Sequence, residues 1–127
     1  MHPTELELQI LKILWQHAAR TVREIRDQLA ETGRDLAHTS VITTLGTMVD
    51  KKQLKKLPAI EGKAFRFAPR LQREDVSRRM LDDLLNRVFD GSAEAVMLSL
   101  FDVSEMEEDE LKRLRKLLNQ KMKETKS

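Results

Sequence analysis

The chain is predicted to be mainly α-helical, with a three-helix unit and a small β-ribbon ahead of a second, wholly helical stretch. Three observations carry this prediction. Apolar residues recur at helical spacing through most of the 127 residues. The one strictly alternating run, Ala64-Phe65-Arg66-Phe67-Ala68, follows a Gly-containing turn signal, Glu61-Gly62-Lys63. The order helix, helix, helix, ribbon, with only a short loop between the second and third helices, is the outline of a winged helix-turn-helix. Residues 1–71 are assigned to that unit and residues 72–127 to a helical dimerisation domain.

Each element has its own local signal. Thr4-Glu5-Leu6-Glu7 is a capping-box pattern, in which threonine and glutamate each satisfy one orphan N–H at a helix start. Behind it Leu6, Ile10, Ile13 and Leu14 share a stripe that Leu8, Leu11 and Trp15 widen, so this helix is expected to be buried on several sides, with Trp15 in the core. Residues 16–20 form the connector. Thr21-Val22-Arg23-Glu24 is a second capping box, and Val22, Ile25 and Leu29 form the stripe behind it. Gly33 is the expected C′ glycine. Arg34 to His38 make the turn, where Leu36 is placed to anchor a short strand. The third helix is expected from Ala37 or His38 to Lys52. It has Val41, Leu45, Met48 and Val49 inward and Thr39, Thr43, Gly46, Thr47 and Asp50 outward.

Leu54 to Ile60 form the first ribbon arm, which Pro58 reduces to an edge or irregular strand. In the second arm Phe65 and Phe67 are expected to face the core and Arg66 the solvent. From about Gln72 the helical period returns, with Val76, Met80, Leu84 and Val88 four apart and Gly91 at the end. Ser92 is placed to cap a short helix over Ala95–Phe101, and Ser104-Glu105-Met106-Glu107 is a third capping box. The last helix carries Leu111, Leu114, Leu118 and Met122. One copy of residues 72–122 is too small to bury these stripes by itself, whereas two copies about a two-fold axis would do so. A homodimer is therefore expected, held through Val76, Met80, Leu84, Val88, Leu98, Phe101, Leu111, Leu114 and Leu118.

Composition excludes several functions. No run of 18 apolar residues occurs, so no membrane span is expected. The opening residues lack a basic and apolar leader pattern. There is no cysteine, hence no disulfide framework or thiolate metal site, and the expected location is cytoplasmic. His2 and His17 match no metal-ligand spacing. No nucleophile–base set, paired carboxylates in an apolar setting or phosphate-cradling glycine loop appears, so neither an enzyme nor a cofactor is expected. Residues 1–73 hold 13 Lys/Arg against 8 Asp/Glu, whereas residues 74–127 hold 10 against 13. The front half suits a polyanion and the back half suits protein.

These features point to double-stranded DNA. Thr39, Ser40, Thr43 and Thr47, with His38 at the helix start, are the candidate base contacts, through hydroxyls and threonine methyls. Arg23, Arg26, Lys51, Lys52, Lys55, Lys56, Lys63 and Arg66 are the candidate phosphate contacts, which fix register and set salt dependence. The other reading is a winged-helix protein-interaction module without sequence-specific DNA binding, in keeping with Asp50 and the lack of Arg on the third helix.

The openings Thr4-Glu5-Leu6-Glu7…Leu14-Trp15 and Thr21-Val22-Arg23-Glu24-Ile25 resemble the penicillinase-repressor family. So do the third helix, Thr39-Ser40-Val41-Ile42-Thr43-Thr44-Leu45, and the wing, Gly62 to Pro69. The resemblance covers nearly the whole chain. It implies a homodimeric winged-helix repressor of palindromic operators that control β-lactam resistance or other stress-response genes. It also implies induction by a membrane sensor protease that cuts an Asn-Phe bond in the dimerisation region. Here the corresponding pair is Leu100-Phe101, without the Asn. A copper-responsive branch of the family uses a cysteine cluster, which this chain lacks.

Overall fold

The computed structural model describes residues 2–126. The elements run α1 (Glu5–His17), β1 (Arg20–Thr21), α2 (Val22–Glu31), α3 (His38–Asp50), β2 (Leu54–Leu57), β3 (Arg66–Pro69), α4 (Arg73–Arg87), α5 (Ala93–Val103) and α6 (Glu108–Lys126). Both anticipated capping boxes at the first two helices form. The Thr4 and Thr21 hydroxyls accept from Glu7 N and Glu24 N, and the glutamates accept from the threonine N–H groups. The hydrogen bond from Thr21 N–H, aided by the Thr21 hydroxyl and the Arg20 charge, holds the Glu24 carboxyl below its ordinary value against the opposing effect of burial.

The chain packs as two units, one reaching to Asp82 and the other starting at Asp83, so the division falls inside α4. In the first unit the core is aliphatic. Ile10, Leu11 and Leu14 of α1 meet Ile25 and Leu29 of α2 and Val41, Leu45 and Met48 of α3, with Leu54 and Phe67 closing it from the sheet. Trp15 lies at the rim rather than wholly inside: it packs on this core while its indole Nε1 donates to Leu71 O at 2.8 Å. A buried indole N–H needs such an acceptor.

The sheet departs from the sequence-based expectation. Its strand order is β1-β3-β2, antiparallel throughout. The third strand is Arg20–Thr21, paired with Phe67 and Arg66, and not the segment around Leu36. Leu36 instead packs half-buried on the core, its carbonyl accepting from Arg26 Nε at 3.0 Å. β2 stops before Pro58, as a residue without an N–H should make it, leaving Ile60 exposed. Phe65 also faces outward, 51% exposed, because β3 begins only at Arg66. Its ring takes the Lys56 ammonium at 4.2 Å. Inside the strand Phe67 and Ala68 are the buried pair, and Arg66 is half-buried, not solvent-facing. Between the arms, Glu61 and Gly62 both have positive φ and Lys63 N donates to Ile60 O, the pattern of a type I′ turn.

In the second unit Ser92 caps α5 by accepting from Ala95 N. The third expected capping box does not form. α5 runs on to Val103, Ser104 becomes its extended C-cap, donating its N–H to Leu100 O, and α6 starts only at Glu108. Among the described residues neither α5 nor α6 has a buried side chain. No helix among the described residues is long and apolar enough to cross a membrane.

Candidate nucleic-acid interface

α3 is held from one side and open on the other. Val41, Leu45 and Met48 fall at i, i+4 and i+7 and are fully buried, anchoring the helix on α1 and α2. Thr39, Ser40, Ile42, Thr43, Gly46, Thr47 and Asp50 are exposed away from that stripe, whereas His38, three residues before Val41 and in line with it, is exposed at the helix start. Thr43 and Thr47 donate their hydroxyl hydrogens to Thr39 O at 3.0 Å and Thr43 O at 3.1 Å. Thr44 does the same to Ser40 O. Such bonds satisfy the hydroxyl hydrogens within the helix without improving the poor helix propensity of this Thr-rich segment, which its buried stripe holds in place.

The turn into α3 is tightly defined. Gly33, at φ +92°, receives the end of α2 in a Schellman motif, with Gly33 N donating to Ala30 O and Arg34 N to Leu29 O. The end of α3 repeats that motif without glycine. Lys52 adopts φ +64° and donates to Val49 O, and Gln53 N donates to Met48 O. Gln53 then joins the helix to the sheet, its carbonyl accepting from Arg70 N and Leu71 N.

A buried carboxylate locks this corner. Glu7, 4% exposed, accepts from Lys51 Nζ at 2.9 Å, from Thr4 N at 3.0 Å and from Gln53 Nε2 at 3.3 Å. Burial pushes its carboxyl up, but these hydrogen bonds and the Lys51 charge outweigh that and leave it below its ordinary value of 4.5. The first turn of α1 is thereby tied to the last turn of α3 and the start of β2.

The candidate phosphate contacts divide accordingly. Arg23, Lys52, Lys55, Lys56 and Lys63 are exposed along α2, the end of α3 and the wing. Lys51 and Arg26 have internal partners in Glu7 and Leu36 O. Arg66 has its Nε buried with no hydrogen-bond partner among the described residues. Sequence reasoning passed over Glu7 as anything beyond a cap, Gln53, and the exposed Ile42. Only Ile42 left a sequence trace: it is an apolar residue off the stripe defined by Val41, Leu45 and Met48. The partners of Glu7 lie 44 and 46 positions away, beyond any local pattern.

Beyond the winged unit, the candidate dimer residues Met80, Leu84, Val88, Leu98, Phe101, Leu111, Leu114 and Leu118 are exposed in the single chain, whereas Val76 is 5% exposed and already covered. Leu100 and Phe101 lie inside α5.

The sequence model of the penicillinase-repressor family matches residues 3–120. The chain belongs to the penicillinase-repressor family. Among its relatives is the penicillinase repressor of Bacillus licheniformis, 22% identical over 117 residues and aligned over 92% of this chain and 89% of that one. The methicillin resistance regulatory protein MecI of Mammaliicoccus sciuri is 19% identical, with 91% of each chain covered. MecI of Staphylococcus aureus strain N315 is 18% identical, with the same coverage. Penicillinase-repressor family members are transcriptional repressors.

Proposed function

We propose that this chain represses transcription by binding a palindromic operator as a homodimer, with α3 of each protomer in the major groove of one half-site. The observation that carries the reading is the anchored helix whose small, exposed face is bordered by cations. Val41, Leu45 and Met48 fix α3, and Lys52, Lys55 and Lys63 are exposed at its end and on the wing, as is Lys56 with its ammonium on the Phe65 ring. His38, Thr39, Ser40, Thr43 and Thr47 read bases, while the wing lysines and Arg23 hold phosphates. Residues 1–71 do the binding in this scheme and residues 72–127 the pairing. The leucines of α5 and α6, uncovered in one chain, support the pairing. The regulated genes are those of β-lactamase or another stress response, in keeping with relatives named for penicillinase repression and methicillin resistance. A membrane sensor protease cutting at Leu100-Phe101 would induce them, and that bond must first leave the α5 helix.

The test is selection of bound sites from a random duplex pool, then titration of the selected site at several salt concentrations. Two half-sites of one sequence should emerge, with centres separated by ~10 base pairs or a multiple of it. Five exposed cations per protomer set an upper slope of log K against log salt of about −9. A protein-interaction module would instead enrich no sequence and bind all duplexes weakly.

A further inference from the structure

Two features of α3 are unexplained by the protein's own packing. Ile42 is a large apolar side chain, 47% exposed, on a helix whose core stripe is already complete without it. One turn on, Gly46 sits mid-helix with ordinary helical φ, and a Cβ built there meets nothing within 4 Å. No turn, close helix contact or positive φ calls for glycine at this point, and glycine is the poorest non-proline residue for a helix interior. The fold would be more stable with alanine. Residues four apart share a helix face, so the uncovered sec-butyl group and the bare backbone adjoin. Beside them Thr43 and Thr47 turn their hydroxyl hydrogens inward to the helix carbonyls, leaving methyl groups and oxygen lone pairs for an outside partner.

We infer that Ile42 and Gly46 form an apolar step on α3 that receives the 5-methyl group of thymine, making this chain a reader of T·A pairs in the major groove. The inference rests on the DNA-binding reading above and deepens it. Among the four bases only thymine carries a methyl group at its major-groove edge, and its partner adenine offers an N6 amino donor. The first fits the Ile42–Gly46 step and the second fits the acceptor oxygens of Thr43 and Thr47. Guanine offers two acceptors, N7 and O6, which find no hydrogen on these threonines. Ile42 is thus a specificity residue, and Gly46 gives up helix stability for close approach.

The experiment uses the full chain and a site selected from a random-sequence duplex pool. Deoxyuridine then replaces thymine, one symmetric pair of positions at a time, removing only the methyl. The expected loss at the read position is about fourfold per half-site, so roughly 15-fold for the dimer. In Ile42→Ala the same replacement should cost less than about twofold, because the methyl has no partner to lose. Gly46→Ala should raise the Tm by roughly 4 °C. It should also weaken binding to the selected site by about tenfold or more, through overpacking of the step. A purely structural glycine cannot give those two signs together. If a site is selected with a steep salt slope but every uracil duplex binds like its thymine parent, the thymine step is wrong and the repressor reading stands. If Gly46→Ala gains stability with no loss of affinity, the step is likewise wrong. If no sequence is enriched and binding ignores salt, both readings fail together. Ile42→Val, which keeps the branched contact, should bind within about twofold of wild type and guards against misfolding of the alanine variant.

Discussion

Replacing Glu7 by glutamine tests whether a buried charge holds the DNA-facing corner together. The carboxylate accepts from Thr4 N, Lys51 Nζ and Gln53 Nε2. Glutamine keeps the cap to Thr4, since it can serve in a capping box. It loses the ion pair with Lys51, whose side chain is 38% exposed, so solvent screening holds that pair to about 1 kcal/mol. Oε1, which accepts from both Thr4 N and Gln53 Nε2, is kept, but the amide nitrogen falls where Oε2 met Lys51 Nζ and sets a buried donor against a donor, at about 1 kcal/mol more. The expected loss is therefore about 2 kcal/mol at pH 7. The sign of the pH dependence follows from the carboxyl lying below 4.5 in the folded chain. A depressed carboxylate stabilises the fold fully above its unfolded value, and that contribution disappears as pH falls through the folded value. Denaturant titrations of both proteins, at one fixed protein concentration because pairing adds to stability, should show a gap at pH 7 that narrows steadily below pH 4.5. The difference between the proteins isolates Glu7 from the other acids. A gap of the same size at pH 7 and pH 3 would refute the argument, because the loss would then owe nothing to charge.

Lys52→Gly should raise stability by about 0.5–1 kcal/mol by relieving a lysine held at φ +64°, read as a higher Tm, while weakening DNA binding at low salt. Lys55→Ala should reduce the salt slope by about one unit per protomer, and so by about two for a bound dimer, with sequence preference unchanged. Lys51→Met should leave that slope nearly unaltered and lower stability instead, since its ammonium lies on Glu7; a slope change like that of Lys55→Ala would contradict the assignment. Leu114→Asp, on an exposed apolar stripe of α6, should convert the protein to monomers at micromolar concentration in sedimentation runs. A persistent dimer would show that this stripe is not at the interface.

The helices of this chain, the starts of α1 and α2 and the buried stripes of the first three helices were legible in the order of residues, whereas the start of α6 was not. A capping box such as Thr21 with Glu24 acts across three positions, and a stripe such as Val41, Leu45 and Met48 across one or two turns, so the same short stretch that forms the element also announces it. The same locality made the third-helix face and the Lys-rich wing visible as a candidate interface, and a family resemblance added the repressor reading. Tertiary structure decided what depends on partners far along the chain. Strand β3 pairs with Arg20–Thr21 and not with the segment near Leu36, and it begins only at Arg66, which leaves Phe65 outside. Lys51 reads as another wing cation until Glu7, 44 positions earlier, is found against its ammonium. Ile42 lies off the apolar stripe in sequence, but only the closed core shows that nothing in the winged unit covers it. Local patterns specify which face of an element is apolar; only the packed fold determines which of its polar and apolar groups remain uncovered, because that is settled by contacts between segments whose separation no short-range periodicity encodes.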